Sequence, residues 1–471
     1  MEPREYVERD ALGLADLVTR GDVSPAEVLE AALGAIDAHN PALNAVIARR
    51  DDAARAEVAA GLPDGRLRGV PYLIKDLNGH VAGLPTTNGV RLFADAVATR
   101  DSEFVARLRR AGAVIVGKTN TPGFGLSTST EPPFFGACHN PWDLARSAGG
   151  SSGGAAAAVA GGVVPAAHAT DGGGSIRIPS SCCGLFGLKP TRGRVTHAPF
   201  AGEAWNGMSM SHAVTRTVRD SAALLDVTSG PFPGDPYVAP PPARPYLEEI
   251  GADPGRLRIA LLDRPPRDDI PVDPECLHAL EDAARLCDSL GHQVEPAQWP
   301  ELPPSAAVAA ISAVHVANAV DQRLAELGRP QRDDDLDGFA RDVCERGRAV
   351  TGEEYVQAVA AMHATGRAVA AFAEEYDMLC TPTMAVVPPM LGVIDPDQPF
   401  VDSLPMLMGM GCFTGIANLT GQPAMSVPRH RTAAGLPVGV QYIGRFGDES
   451  TLFRLASQLE AAAPWPQYAF A

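Results

Sequence analysis

Apolar positions recur every three to four residues along 11–20 and stop at Gly21, which predicts an amphipathic helix with a glycine stop. A second helix starts at Ser24-Pro25-Ala26-Glu27, with serine as N-cap, proline in the first turn and Glu27 closing a capping box. Val28, Leu29, Ala32, Leu33 and Ile36 share one face of it as far as about His39. Val46-Ile47 opens a short strand, 51–60 reads as an alanine-rich helix, and 69–76 is an apolar strand that carries one lysine, Lys75. Residues 102–111 read as a helix ended by Gly112, with a strand over 113–117. This strand–helix–strand rhythm is that of an α/β sheet.

Downstream, 123–138 has no periodicity and reads as a loop. Ala155–Ala160 predicts one or two helical turns starting just after Gly154, and the apolar run that ends at Pro165 reads as strand-like. A helix over 214–227 is entered through Thr217 and Asp220. Strands are expected at 258–262, 378–383 and 436–441, and helices at 274–290, about 304–327, 352–376 and 449–462. No clean domain boundary interrupts the chain. It reads as one unit over 1–471, with a proline-dense connector at 230–246 and a variable helical insertion at about 265–376.

With 45% hydrophobic and 20% charged residues the chain can bury a large core, which argues against disorder. A formal net charge of −17 repels phosphates and argues against nucleic acid as a partner. Residues 1–20 lack the apolar core of a signal peptide, and no run reaches the ~18 apolar residues of a membrane span. Eight scattered cysteines form neither a disulfide framework nor a C-x-x-C pair, so the expected compartment is the reducing cytoplasm.

The chemistry concentrates in 148–192. Two serine-bearing glycine loops, Gly149-Gly150-Ser151-Ser152-Gly153-Gly154 and Asp171-Gly172-Gly173-Gly174-Ser175, flank the alanine run. Successive glycines let backbone N–H groups converge on one point, and a helix beginning there adds its positive end. A flexible linker or a phosphate-cradling turn is the bland alternative, but a P-loop needs a lysine that does not follow here. A serine is a poor nucleophile for acyl transfer unless its proton is removed, and a lysine removes it only when burial strips the lysine's own charge. An apolar strand such as Tyr72-Leu73-Ile74 offers Lys75 that setting. His139 and His168 lie close in sequence, but without a G-x-S-x-G elbow both read as structural. The acidic residues show no metal-ligand spacing, so neither metal nor cofactor is expected.

Taken together, these loops, the Lys75 strand, Gly117–Pro122, Asn140-Pro141-Trp142, Gly187–Thr191 and Asn418–Ala424 resemble the amidase signature family nearly end to end. Lys118–Pro122, Thr130-Glu131-Pro132, Pro190–Arg194, Val218–Gly230 and Arg244-Pro245-Tyr246 carry a narrower likeness to one subgroup of it. The resemblance implies a large mixed, twisted sheet covered by helices on both faces, and hydrolysis of a small-molecule carboxamide.

It also implies Ser175 as nucleophile, Ser151 in a cis peptide as relay and Lys75 as base. Gly172, Gly173, Gly174 and Ser175 would form an oxyanion hole, with Ser152, Asp171 and Arg177 in support. Family members usually carry a larger residue than Gly172 at the first of these positions, so its glycine implies either a looser hole or room for a bulkier acyl group. Ser127, Thr128 and Ser129 are candidate substrate contacts, against the plain reading of loop hydroxyls satisfying local backbone. The cluster around Met406, Met408, Met410, Cys412 and Phe413 is read as an apolar acyl pocket, with Met408, Cys412 and Phe413 as contacts. Two other readings stay open: the glutaminase A subunit of a glutamyl-tRNA amidotransferase, and an inert amide-binding relative. A homodimer is among the assemblies left open.

Overall fold

A computed structural model describes residues 1–266, 270–303 and 307–469. Its strands are β1 Val46–Arg49, β2 Pro71–Lys75, β3 Val114–Thr119, β4 His139–Asn140, β5 Asp143–Ser147, β6 Ala166–Asp171 and β7 Phe186–Lys189. They continue with β8 Met210–Thr215, β9 Arg258–Leu261, β10 Gln293–Pro296, β11 Met378–Pro382, β12 Ala424–Arg431 and β13 Pro437–Gly444. Eleven of these share one sheet in the order β1-β3-β2-β6-β8-β7-β12-β13-β11-β9-β10, and β4 and β5 pair separately. The sheet is mixed. β3, β2 and β6 run parallel, as do β11, β9 and β10, and antiparallel pairs join the two groups.

Alternation along the strands sends side chains into two cores, as the period of two in a pleated strand requires. In β2, Tyr72 and Ile74 enter one core and Leu73 the other; in β3, Ile115 parts from Val114 and Val116 in the same way. The first core is closed by the helices Glu103–Arg110, Val218–Thr228, Pro274–Ser289 and Glu449–Ala462. The second is closed by Pro25–Leu43, Gly153–Ala160 and Arg177–Cys183. Helices therefore cover both faces. Every residue of Gly153–Ala160 is buried, so an all-small, all-apolar helix lies inside the molecule rather than on it.

Several local expectations hold closely. The helix Ala11–Arg20 ends at Gly21 in the left-handed conformation, and Ser24 and Glu27 form the reciprocal capping box. That second helix runs past His39 to Leu43 before Asn44 closes it at φ 48°. Other expectations are corrected. The apolar stretch up to Pro165 is a turn, and the strand forms only afterwards, as β6. Val214 and Thr215 belong to β8, so the next helix begins at Val218, where Thr217 accepts from the Asp220 N–H. The alanine helix starts at Gly153 rather than after Gly154.

The stretch from about 265 to 376 is not all helical: β10 within it extends the sheet beside β9. A helix that sequence periodicity did not single out, Gly338–Ala349, lies between Ala307–Leu327 and Gly352–Ala373. The start of the expected 304–327 helix, residues 304–306, lies outside the described residues, as do 267–269 of the same stretch. Among the described residues no helix is long and apolar enough to cross a membrane.

The proline-dense segment 230–246 is held along the surface by its backbone. One Arg107 amino group donates to the carbonyls of Thr228, Ser229 and Gly230, each at 2.8 Å, and the Ala239 N–H donates to Gly193 O at 3.0 Å. Arg194 donates to the Pro240 carbonyl while its other nitrogens grip Glu449 at 2.9 and 3.0 Å, a pair only 3% and 0% exposed. Removing one partner of such a pair strands the other charge in the interior. Arg194→Met should therefore lower stability by about 3–5 kcal/mol in urea unfolding and speed proteolytic cleavage within 230–246; an unchanged midpoint would show that the pair contributes nothing.

Candidate active site

Lys75 ends β2, beside the end of β6, so the site forms at the carboxyl ends of the parallel strands. The Lys75 side chain is fully buried. Its Nζ stands 2.7 Å from Ser151 Oγ, 2.9 Å from Ser152 Oγ and 2.9 Å from Thr170 Oγ1. No carboxylate shares this shell, and burial pulls the lysine's pKa well below its ordinary value, with Asp171 opposing from a distance. Hydroxyls suit a neutral amine because each can give or take a hydrogen bond. Ser152 is fixed in turn by Thr170, accepting from its N–H at 3.3 Å and donating to its carbonyl at 3.2 Å.

Ser151 enters this shell from a loop pinned on three sides. The Gly150–Ser151 peptide is cis, the Ser151 carbonyl accepts from Thr121 Oγ1 at 3.0 Å, and the Gly149 carbonyl accepts from Thr130 Oγ1 at 2.9 Å. His168 stands next to the site without joining the hydroxyls. The Lys75 N–H donates to its Nδ1 at 3.3 Å, and burial pushes its pKa far down. His139 bonds the Leu144 carbonyl at 2.7 Å. Among the described residues no group of His, Cys, Asp or Glu could hold a metal ion.

The loop that bears Ser175 is anchored by a buried ion pair. Arg177 grips Asp171 at 2.8 and 2.9 Å, with both side chains fully buried. The other contacts of Arg177 go to the Thr414 carbonyl (2.7 Å), Gln441 Oε1 (2.5 Å) and Asn418 Oδ1 (2.7 Å). The Asn418 amide donates back to the Asp171 carbonyl and carboxylate, each at 2.9 Å. Burial by itself would raise the Asp171 pKa, but the charge and hydrogen bonds of Arg177, with Asn418, hold it down at about 2.

Asp171 also accepts from the Gly174 N–H at 2.8 Å and the Ile176 N–H at 3.1 Å. The Gly174 N–H is thus spent inside the loop, which corrects its expected place among the outward donors. The N–H groups of Gly172, Gly173 and Ser175 have no acceptor among the described residues.

Ser151, Thr170, Gly172 and Ser175 line one cavity of about 230 Å³. Its walls come from Phe124, His197, Phe200, Glu203, Trp205 and His315 among others. The expected substrate contacts do not line it. Ser129 is turned to Glu131 Oε1 and Ser147 Oγ, both at 2.6 Å, Ser127 Oγ accepts from the Ser129 N–H, and Thr128 Oγ1 lies 3.4 Å from Met410 Sδ. Met408 and Cys412 are half-buried at the end of the helix Phe400–Gly411, and Phe413 is fully buried, its carbonyl taken by Gln441. Met410 joins the same core as the alanine helix, with Met406 packed against it.

Gly172 does not leave open space. A Cβ there would stand 2.9 Å from two carbons of the Trp205 ring. Trp205 and Asn206 both take left-handed backbone, at φ 50° and 55°, and Trp205 packs with Met208 and Leu419. Sequence reasoning also missed Thr170, Asn418 and Gln441 as parts of the site. Thr170 directly precedes the second glycine loop and Asn418 opens a recognised motif, whereas Trp205 and Gln441 carry no local signal.

A family model of amidases matches residues 27–453, so the chain belongs to this family of amide-bond hydrolases. Over 97% of its length it is 39% identical to the 6-aminohexanoate-cyclic-dimer hydrolase of Paenarthrobacter ureafaciens, 95% of which is covered. An acylamidase of Rhodococcus erythropolis is 37% identical at the same coverage of both chains. A solved structure of 6-aminohexanoate cyclic dimer hydrolase superposes with a TM-score of 0.93 at 38% identity, covering 98% of each chain. The subgroup likeness read from the sequence points to the same relatives.

The Gly172–Trp205 contact makes a steric prediction. Gly172→Ala pushes a methyl into the indole and should cut kcat/KM on amides roughly tenfold. Adding Trp205→Ala should restore part of the loss; a double variant no better than the single would remove the indole as the cause.

Proposed function

We propose that the chain hydrolyses a carboxamide C–N bond by acyl transfer, with Ser175 as nucleophile, Ser151 as relay and Lys75 as base. The observation that carries this reading is the shell of Lys75, a fully buried amine that meets three hydroxyls and no carboxylate. A neutral Lys75 takes the Ser151 proton as Ser151 takes that of Ser175, and the Ser175 oxygen attacks the amide carbonyl. The oxyanion collects on the N–H groups of Gly172, Gly173 and Ser175, which the Asp171–Arg177 pair keeps in place. Collapse expels the amine, which leaves with a proton returned along the same path. Water then attacks the Ser175 ester by the reverse route and releases the acid.

Likeness to the cyclic-dimer hydrolases and the acylamidase supports a small amide or lactam-type substrate. Aromatic walls from Phe124, Phe200 and Trp205 favour an acyl group with apolar surface. A panel of primary, anilide, peptide and lactam-type amides identifies the class.

Because the working form of Lys75 is deprotonated, kcat/KM should climb as pH rises through one apparent pKa well below the free-lysine value of about 10.4. Lys75→Ala should lower amide turnover by about 10²–10⁴-fold. Lys75→Arg keeps the charge but cannot deprotonate, and should be no better. Near-normal turnover in Lys75→Arg, measured on the preferred amide, would assign the base elsewhere.

A further inference from the structure

Among the residues that line the cavity, Glu203 is the one carboxylate, and no lysine or arginine joins it. It lies a few residues after the cis Ala198–Pro199 bond and is half-buried. Its Oε2 is shielded from solvent and has no hydrogen-bond partner, and among the described residues Glu203 forms no ion pair. A second acceptor in the same wall, Asn88 Oδ1, is equally shielded and equally without a partner. Buried acceptors are normally satisfied, and both of these belong to side chains that line one cavity, so a donor from outside the protein would complete them.

The rest of the wall does not supply the missing positive charge. Burial, helped by the charge of Lys118, drives His80 down to about 4, and burial lowers His197 and His315 as well, so these imidazoles are neutral near pH 7. Outside the lining, the Arg192 guanidinium feels the charge of Glu203, but its Nε donates to the Gly207 carbonyl and one of its amino groups to the carbonyls of Asn418 and Leu419. Phe124, Phe200 and Trp205 add aromatic surface to the same cavity. One negative charge, two unpartnered acceptors and aromatic rings together match a cationic nitrogen better than any neutral or anionic group.

We infer that Glu203 is a specificity-determining residue that receives an alkylammonium group carried by the substrate, in the cavity that also holds Ser175. The inference rests on the proposed hydrolysis at Ser175, and it adds that the substrate is an amino-substituted amide. The amide bond lies at the serines, while the ammonium takes the place of the donor missing at Glu203 and Asn88. A carboxylate in the same position would meet Glu203 as a like charge and be rejected.

Three 4-nitroanilides with one leaving group and equal acyl chain length test this: an ω-amino, an unsubstituted and an ω-carboxy alkanoyl anilide. The full-length wild-type chain should turn over the amino substrate about tenfold faster, by kcat/KM, than the unsubstituted one, with the carboxy substrate slowest. Glu203→Gln keeps the side-chain size and should bring the amino-to-unsubstituted ratio close to one, mainly through KM, while Glu203→Asp retains part of the preference. A ratio unchanged by Glu203→Gln overturns the inference, and so does a wild-type preference for the unsubstituted or carboxy substrate.

Calorimetric binding of the ω-amino anilide to Ser175→Ala, with and without Glu203→Gln, reads recognition without turnover. If wild type cleaves none of the anilides and a fluorophosphonate fails to label Ser175, the hydrolytic reading fails. Weaker binding in the Glu203→Gln background then still supports the ammonium site, and equal binding overturns it.

Discussion

A lysine without exposed surface must either find a negative partner or give up its proton, and the three buried lysines of this chain show how the choice is made. Lys118 has found a carboxylate: its Nζ lies 3.0 Å from Asp76, with the Gly79 and Pro85 carbonyls and Thr86 Oγ1 also accepting from it. Lys189 has a backbone carbonyl at 2.7 Å, and burial, followed by the charge of Arg177, draws it down to about 7. Lys75 has only hydroxyls. The desolvation that would make its ammonium costly is therefore left uncompensated nearby, and the neutral amine is the form that its surroundings accept. The placement of Ser151, Ser152 and Thr170 follows from that one constraint.

The second charge problem is solved in the opposite way. Asp171 keeps its charge in the interior because the groups around it and Arg177 are matched: two side-chain amides, a backbone carbonyl and backbone N–H groups fill what the pair itself leaves open. A buried pair earns rigidity only when its shell is complete. Here the rigidity is transmitted to a loop of three glycines, which would otherwise be the softest backbone in the site. The exchange uses the Gly174 N–H, while those of Gly173 and Ser175 have no acceptor among the described residues.

Chemistry was more legible in the sequence than packing. Lys75, Ser151, Ser152 and Asp171 sit on short local patterns, and the structure gathers them at the ends of two neighbouring strands, with Thr170 beside them unannounced. Amphipathic helices with strong caps, such as Ala11–Arg20 and Glu449–Ala462, were equally plain. What escaped depends on contacts between distant segments. The Met406–Phe413 stretch has the composition of a pocket wall, yet Leu407 and Met410 are drawn into a core that local composition does not reveal. Trp205 reaches Gly172 through two consecutive left-handed residues, a turn that neither residue type announces. The apolar run before Pro165 had the content of a strand, but the glycines at 161 and 162 make it a turn.

The shell around Arg177 is assembled from residues at 171, 414, 418 and 441. A ribosome delivers these in order, so a nascent chain carries the second glycine loop through the synthesis of more than two hundred further residues before the last ligand of its guanidinium exists. Until then the ion pair has no complete interior to occupy, and the loop that bears Ser175 cannot settle. Competence of the centre is thereby tied to late arrival of the C-terminal strands, and no N-terminal fragment that stops short of residue 441 can hold a finished copy of it.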